Sequence, residues 1–418
     1  MKKFDEEQLE EAIISLFTNQ EYTYVRGDKI HRKYDEVLLE DDLRTFLYSR
    51  YPDLTQTELE TIVNKIKYIP TSPLYTGNRQ AFFLINEGFD LSREDSDKLP
   101  LHIDFVDYED FDNNIFKVVN QFTVSGTRDR RPDMLVFVNG IPIAIFEFKS
   151  ANLTKYCFLS VISDGANTRM GSVFTPYEYY YSWNKVNYKE NVSNGISSLV
   201  TMIKGAFSKK RLINIIRDFI YYPDNDSKSI AIVTRYPQYF AAYKMLENIK
   251  DHLKPKGDGK GGTYFGATGS GKTYTMLFLS RMLATHHRDI FQNPTIIIIV
   301  DREDLNKQTS QLFEGSKRYL KDKKVLSISS REELKNELSK NQSGGVYITT
   351  IQKFCESTGL LSKRNNIICI SDEAHRTQTN IGSKLKYTED GVETTYGFAK
   401  YLRDSFPNAT YAGFTGTP

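Results

Sequence analysis

One segment of the sequence has the residue types and spacing of a phosphate-binding loop. Residues 266–273 read GATGSGKT, with a glycine, four further residues and then Gly-Lys-Thr. Such glycines let backbone N–H groups surround the β- and γ-phosphates, while the lysine adds a cation and the threonine hydroxyl can ligate Mg²⁺. A chance glycine-rich loop is the alternative, but the helical pattern that follows favours anion binding at a helix N-terminus. We therefore predict an ATP and Mg²⁺ site formed by Gly266, Thr268, Gly269, Ser270, Gly271, Lys272 and Thr273.

An acidic motif follows about 100 residues later, where the apolar run IICIS ends in Asp372, Glu373, Ala374 and His375. A strand that ends in this way delivers its carboxylates to the carboxyl edge of a parallel sheet, beside the phosphates. Asp372 would hold Mg²⁺ through water, Glu373 would polarise the attacking water, and His375 would belong to the nucleotide site. The alternative is an Asp-Glu pair that only caps a helix, and the loop upstream makes it less attractive.

A second candidate site lies in the N-terminal third, on two apolar runs that flank Asn139-Gly140, a strong hairpin signal. Asp133 precedes the first run, and Glu147 and Lys149 close the second. Asp133 and Glu147 would make a hard oxygen site for Mg²⁺, and Lys149 would orient water or neutralise developing charge. A surface ion pair is the alternative, although charged residues beside IAIF are costly unless they are used.

The hairpin must have a particular register for this second site to form. In a regular two-residue turn at Asn139-Gly140, paired residue numbers sum to 279, and side-chain alternation then puts Asp133 and Glu147 on opposite faces. A sum of 280 places Asp133 opposite Glu147. We therefore predict an odd-length turn or a bulge between Val136 and Ile143.

The secondary-structure elements that would position these residues follow two different patterns along the chain. Short β-rich runs dominate from about 101 to 163, whereas strands alternate with helices after about 228, which indicates a parallel sheet. The predicted class is α/β, with residues 1–185 as the domain of the second candidate site, 186–227 as a helical connector and 228–418 as an ATP-binding domain.

Composition narrows the class of protein without naming a partner. The 55 basic and 53 acidic residues give a net charge of +2, which neither demands nor excludes nucleic acid. The cysteines, Cys157, Cys355 and Cys369, lack metal-site spacing and fit a reducing cytoplasm. No apolar run is long enough to span a membrane, so we expect a cytoplasmic protein without a membrane partner.

The ATP-site motifs resemble those of superfamily 2 helicases. Residues 266–273, 372–375 and 415–418 look like motifs I, II and III in order and spacing. Arg235-Tyr236-Pro237-Gln238 resembles the adenine-recognising element, which implies that Gln238 reads the base edge. Segments 301–302 and 349–352 resemble those that touch a DNA strand, although strand ends and helix caps would explain them equally simply.

The region around Asp133, Glu147 and Lys149 is similar to the nuclease domain of the type I restriction enzyme R subunits, which implies that residues 1–185 form a nuclease domain and residues 228–418 a motor domain. The resemblance rests on NNIFKVVNQFTVSGTRDRRPDMLVFVNGIPIAIFEFKS and on SDGANTRMGS, in the order of nuclease first and motor second. It implies a PD-(D/E)xK fold followed by a RecA-like P-loop domain. It also implies ATP-driven translocation along double-stranded DNA, Mg²⁺-dependent cleavage, and methyltransferase and specificity subunits as partners.

Two features depart from that family. The sequence ends at Pro418, after motif III, without the second motor half that would supply arginine fingers, so we expect this chain alone to be inactive as a motor. The connection Ser150–Phe158 lacks the Gln-x3-Tyr helix of the family and is short for a parallel crossover. We expect either that residues are missing there or that the next strand returns antiparallel.

Some interpretations stay open. A superfamily 2 helicase with a non-catalytic N-terminal binding module is the main alternative, and a catalytically dead fragment with an assembly role is another. The aromatic run 177–183 could stack on nucleic-acid bases but is more typical of a core. Glu10 or Glu11 could be a further metal ligand, although a solvated helix face is the simpler reading.

Overall fold

The computed structural model describes residues 6–125, 131–146, 154–164, 167–189, 197–225, 229–301, 303–354, 359–374, 383–388, 391–396 and 398–417. The chain forms two compact units, one of Met1–Tyr222 with Lys228–Tyr236 and one of Pro223–Ser227 with Pro237–Pro418. Within the described ranges, none of the helices combines the length and apolar character that crossing a membrane requires.

The first unit is built around a six-stranded sheet in the order β1-β4-β5-β6-β7-β8. β1 pairs parallel to β4 and β6 parallel to β7, while the other neighbours are antiparallel. Every residue of β5 and β6 is buried, as expected for central strands covered on both faces. The strands are β1 (Thr23–Arg26), β2 (Phe89–Leu91), β3 (Leu101–Ile103), β4 (Phe116–Asn120), β5 (Met134–Val138), β6 (Ile141–Phe146), β7 (Leu159–Ser163), β8 (Thr168–Gly171), β9 (Ile220–Tyr221) and β10 (Ile232–Val233).

Six helices belong wholly to this unit, among the residues that the structure describes. One face of the sheet is covered by the first of them, where the Phe17 ring packs edge-on against Phe146 at 5.8 Å between centroids. The helices are α1 (Glu6–Thr18), α2 (Glu40–Arg50), α3 (Gln56–Lys67), α4 (Leu74–Glu87), α5 (Ser197–Ala206) and α6 (Lys209–Asp218).

The last two of these helices come from the segment expected to be a separate connector, 186–227. The structure places α5 against α1 and β8 of the first unit, and Phe207 after it packs on both Phe17 and Phe146. Their apolar faces therefore complete the core of the first unit. Only Pro223–Ser227 at the end of that segment is grouped with the second unit.

The expected antiparallel return after Ser150 is wrong. β7 pairs parallel to β6, with Phe146 opposite Val161. The physical reason is one of length: β6 is described as far as Phe146 and β7 begins at Leu159, so the chain between their described parts is about the dozen residues that a parallel crossover needs. Residues 147–153 lie outside the described residues, so the alternative of missing residues is not tested there.

The described end of this crossover is anchored on the C-terminus of α3. The Tyr156 hydroxyl donates to the Ile66 carbonyl at 2.9 Å, and the Lys155 ammonium donates to the carbonyls of Lys67 and Ile69 at 2.9 and 2.8 Å. Burial lowers the pKa of Lys155 to about 8. Unpaired carbonyls at a helix C-terminus favour a cation, so this contact offsets part of the cost of burying the amine.

The second unit contains a parallel sheet in the order β11-β18-β15-β12-β14-β13. Since all six strands run the same way, their carboxyl ends share one edge, where the motif residues follow the strands. The strands are β11 (Lys260–Phe265), β12 (Thr295–Val300), β13 (Val325–Ser327), β14 (Val346–Thr350), β15 (Ile367–Ser371) and β18 (Thr410–Thr415), and a separate hairpin joins β16 (Ser383–Thr388) to β17 (Gly391–Tyr396).

Helices connect most of these strands, as the alternating pattern predicts. An apolar cluster on one face of the sheet includes Ile297, Ile299, Tyr347, Cys369 and Phe406. The helices are α7 (Tyr236–Asp251), α8 (Lys272–Ala284), α9 (Glu303–Glu314), α10 (Lys317–Leu320), α11 (Arg331–Lys340) and α12 (Phe398–Ser405). The predicted α/β class, with a parallel sheet in the second unit, is therefore confirmed.

Two candidate active sites

The glycine-rich loop lies between β11 and α8, at the carboxyl edge of the parallel sheet. Gly269 and Gly271 have φ of +79° and +82°, a backbone conformation that L side chains rarely adopt, and Gly271 caps the N-terminus of α8. The Lys272 ammonium donates to the Gly266 carbonyl at 3.2 Å. The Ser270 hydroxyl oxygen is buried without a hydrogen-bond partner in the described part of the chain. A buried hydroxyl without a partner beside a helix N-terminus fits a phosphate ligand.

Three motifs meet at this loop. One carboxylate oxygen of Glu373 lies 3.8 Å from the Lys272 ammonium, and the other accepts a hydrogen bond of 3.4 Å from the Gly416 N–H. A Cβ on Gly416 would lie 3.2 Å from the Lys272 nitrogen, so a larger residue there would require the ammonium to shift by a few tenths of an ångström. The predicted meeting of the loop with Glu373 is observed, and Gly416 joins them.

Asp372 is 7 % exposed, between the end of β15 and Glu373. Burial raises the pKa of its carboxyl, a hydrogen bond from the Glu373 N–H lowers it, and the nearby Glu373 carboxylate raises it again. A buried anion of this kind is stabilised by a cation. With the Thr273 hydroxyl, Asp372 offers the hard oxygen donors that Mg²⁺ prefers, so the residues fit the metal. His375 lies outside the described residues.

Gln238 contacts the loop itself. Its side-chain Nε2 donates to the carbonyls of Gly271 and Ser270 at 3.2 and 3.5 Å, and the residue is 5 % exposed. A Cβ on Gly271 would lie 2.3 Å from that nitrogen. The Gln238 amide nitrogen therefore holds the loop in place through hydrogen bonds, and we call this contact the brace. The resemblance had implied a different role, in which the side chain recognises adenine. Recognition of adenine by the amide oxygen of Gln238 stays a prediction.

The brace predicts how a Gln238→Ala variant binds nucleotides. Losing its hydrogen bonds should loosen the loop and weaken fluorescent ATP and GTP analogues alike, by roughly five- to tenfold each, because one such bond contributes about 1 kcal/mol. Equilibrium titration of the purified chain measures both. Asn248→Ala is the matched control, because Asn248 is an exposed amide on the same helix that donates to the Lys260 carbonyl. A loss confined to adenine nucleotides would contradict the brace.

The second candidate site depends on the hairpin between β5 and β6, whose register shifts once. Asn139 and Gly140 form a two-residue turn with φ of +50° and +75°. Paired residue numbers sum to 279 beside the turn and to 280 beyond it, because Ile143 is an extra residue in β6. From the turn outward the pairs are Val138 with Ile141, Phe137 with Pro142, Val136 with Ala144, Leu135 with Ile145, and Met134 with Phe146. The predicted bulge between Val136 and Ile143 is confirmed.

This register leads to the level at which the site would form. The last described pair is Met134 with Phe146, and Asp133, which is half-buried, immediately precedes it. One further step of the same ladder would pair Asp133 with position 147. Glu147 and Lys149 lie outside the described residues. Among described side chains, no three of the types His, Cys, Asp and Glu are grouped so that they could hold a metal ion.

Glu10 on α1 reaches the same end of the sheet. Its carboxylate accepts from the Asn120 amide at 2.6 Å and from the Gln121 amide at 3.3 Å, where β4 ends beside Met134. The sequence favoured a solvated face for this helix position. One local signal could have indicated this contact. Glu10 lies three residues before the buried Ile13, so the two side chains share one side of the helix.

Comparisons with known proteins match both units. Residues 3–179 match the family of the type I restriction enzyme R protein N terminus, and residues 237–418 match the SWI2/SNF2 ATPase family. The type I restriction enzyme HindI endonuclease subunit of Haemophilus influenzae is 30% identical over 94% of this chain and 39% of its own length. A Methanocaldococcus jannaschii protein named for the endonuclease subunit of type I restriction enzyme MjaIXP is 30% identical over 98% of this chain and 42% of its own length. The chain therefore spans about two-fifths of the curated relatives that it matches.

Proposed function

We propose, since the chain belongs to the type I restriction enzyme R protein family, that it carries the nuclease and the first motor half of an ATP-dependent restriction endonuclease. The substrate would be unmodified double-stranded DNA. ATP hydrolysis in the second unit would drive translocation along the duplex, and the first unit would cut it with Mg²⁺.

The observation that carries the nuclease proposal is the bulge at Ile143. A regular hairpin would put Asp133 and position 147 on opposite faces. The extra residue shifts the ladder by one, at the cost of a locally interrupted hydrogen-bond pattern. That cost is explained if the two acidic positions must act together.

In this proposal Asp133 and Glu147 hold Mg²⁺, which when bound would activate water and stabilise the charge on the phosphate. Their oxygen donors fit that ion. Lys149, two residues beyond Glu147, would share its strand face and orient the water or neutralise charge on the phosphate. Glu10, held by Asn120 and Gln121, would stand at the same end of the sheet.

In the second unit, Glu373 would position the water that attacks the γ-phosphate, and Lys272 would bind the phosphates. Their 3.8 Å contact holds the ammonium beside the loop before nucleotide arrives. When phosphates enter, the lysine can exchange the glutamate for them, because both partners are anionic. Gly416 fixes the glutamate through its backbone N–H.

Partners follow from the same family. Methyltransferase and specificity subunits of one restriction system would recognise the DNA site, and the assembly would act in the cytoplasm. Co-purification of the chain with such subunits tests this assignment.

A metal titration tests the nuclease proposal directly. We expect the Asp372→Ala chain, in which the motor site is impaired, to keep one Mn²⁺ site that a further Asp133→Ala or Glu147→Ala change removes, as measured by calorimetry. Asp90→Ala is the matched control, since Asp90 is an exposed carboxylate of the same unit that pairs with His102. Mn²⁺ binding that does not depend on Asp133 would favour a helicase with a non-catalytic N-terminal module.

A further inference from the structure

We propose that Arg169, held by the ring of Tyr177, binds a backbone phosphate of the DNA strand beside the candidate nuclease site. The inference rests on the proposed function and names a residue through which the first unit would hold its substrate. It follows from the register of four neighbouring strands, from the surroundings of the guanidinium and from the anchoring of the tyrosine.

Strand register places Arg169 on the face of the sheet that Asp133 occupies. Met134, Phe146, Val161 and Met170 form one level across β5, β6, β7 and β8, and all four are buried. The next level contains Asp133, Ile162 and Arg169, and one further step of the same ladder in β6 would add position 147. Since side chains alternate along a strand, this second level points to the opposite face.

That second level is open to solvent where the first is closed. Asp133 and Ile162 are half-buried. Arg169, which pairs with Ile162 across the ladder, is exposed. On the side that Asp133 occupies, the sheet is therefore accessible at this level, although Leu135 and Ile145 further along the same side are buried. A substrate as large as duplex DNA needs such an accessible face.

The Arg169 guanidinium stands over the Tyr177 ring, with Cζ 5.6 Å from the ring centroid. Elsewhere in the first unit, guanidinium groups such as those of Arg44 and Arg93 pair with carboxylates. Throughout the described ranges, no carboxylate forms an ion pair with Arg169. An exposed guanidinium that stacks on a ring keeps all its N–H donors available, and phosphate oxygens accept such donors in bidentate fashion.

Tyr177 is fixed in place although its ring is 54 % exposed. It begins a short 3-10 turn, Tyr177–Tyr179, after which the buried Tyr180 packs on β8. The Tyr180 hydroxyl donates to the Ser172 carbonyl at 3.0 Å, and a Cβ on Gly171 would lie 2.5 Å from its ring. The run is thus divided, with Tyr180 and Trp183 in the core and Tyr177 and Tyr179 outside.

The distance between Arg169 and the candidate nuclease site indicates where along the DNA strand the bound phosphate would lie. Arg169 on β8 is three strands from Asp133 beside β5, or roughly 14 Å at the usual strand spacing. Such a separation would place Arg169 on a phosphate a few nucleotides from the scissile one. Such a contact positions the duplex and does not read its sequence.

An Arg169→Ala enzyme, assembled with its partner subunits, tests the proposal. We expect cleavage to be about tenfold slower near physiological salt, with unchanged DNA-stimulated ATP hydrolysis. Loss of one phosphate contact should also reduce the slope of log rate against log salt concentration by about one. Arg169→Lys should recover most of that slope. Lys65→Ala is the matched control, because Lys65 is an exposed cation over the Phe89 ring, 4.5 Å from its centroid, in the same unit.

A crosslinking measurement keeps the test decisive if Arg169→Ala folds poorly. A photoreactive benzoylphenylalanine in place of Tyr177 should crosslink to DNA, whereas the same group in place of the exposed Tyr48 should not. Wild-type cleavage by Arg169→Ala at every salt concentration, or a Tyr177 crosslink to a partner subunit instead of DNA, would overturn the inference alone. Cleavage that survives Asp133→Ala would overturn the proposed function, and the inference with it.

Discussion

Alanine at Asp133, Glu147 or Lys149 will abolish DNA cleavage by the assembled enzyme, while DNA-stimulated ATP hydrolysis continues at the wild-type rate. The first two changes remove oxygen donors for Mg²⁺, and the third removes a cation beside the phosphate. Losses of such electrostatic groups slow chemistry on the order of a hundredfold to a thousandfold. ATP turnover is spared because the loop and Glu373 belong to the other compact unit.

Two assays on each variant measure this division of labour: conversion of circular plasmid to linear DNA, and release of phosphate. Asp90→Ala again serves as the control. It removes an exposed carboxylate of the same unit, on β2, which is not part of the six-stranded sheet. The separation of the two activities would be refuted if ATP turnover disappeared together with cleavage in all three variants.

Lys272→Ala and Glu373→Gln should stop the motor in different ways. Without the lysine ammonium the loop loses its cation, so we expect nucleotide binding and hydrolysis both to be lost. Glu373→Gln keeps the shape of the side chain and its contact with the Gly416 N–H, so nucleotide binding should persist. Turnover should fall by about a hundredfold or more, because the group that positions the attacking water is lost.

Binding of a fluorescent ATP analogue and steady-state phosphate release distinguish the two variants. Both variants should also lose DNA cleavage in the assembled enzyme, because an enzyme that does not translocate along the DNA does not reach the position at which it would cut. Lys260→Ala is a suitable control, since Lys260 lies on β11, the strand that leads into the loop, with its side chain 80 % exposed. A Glu373→Gln enzyme with wild-type turnover would show that another group positions the water.

The sequence predicted those features that local residue patterns determine. The loop at 266–273 and the Asp372-Glu373 pair follow strands of a parallel sheet, so strand alternation alone brings them to one edge. The bulge near Ile143 could be inferred because side-chain alternation allows only two outcomes, and only one of them puts Asp133 level with Glu147.

Tertiary contacts decided what the sequence could not. The parallel direction of β7 is seen in its pairing with β6, where Phe146 lies opposite Val161, and no local residue pattern before β7 indicates that direction. The helices after residue 197 join the first unit because Phe207 fits against Phe17 and Phe146, which are distant in sequence. Likewise, nothing near Gln238 indicates that its amide nitrogen braces the Gly271 carbonyl 33 residues later.

The extra residue at Ile143 makes the first unit sensitive to whether a change in hairpin length is odd or even. Deleting one residue between Val136 and Ile143 would restore a regular ladder and could leave a fully folded sheet, yet Asp133 would turn away from position 147. A second single-residue change would turn it back. Over evolutionary time, a lineage could therefore silence and regain DNA cutting by single-codon insertions and deletions in this hairpin, with its acidic residues intact and its ATP-driven motor untouched.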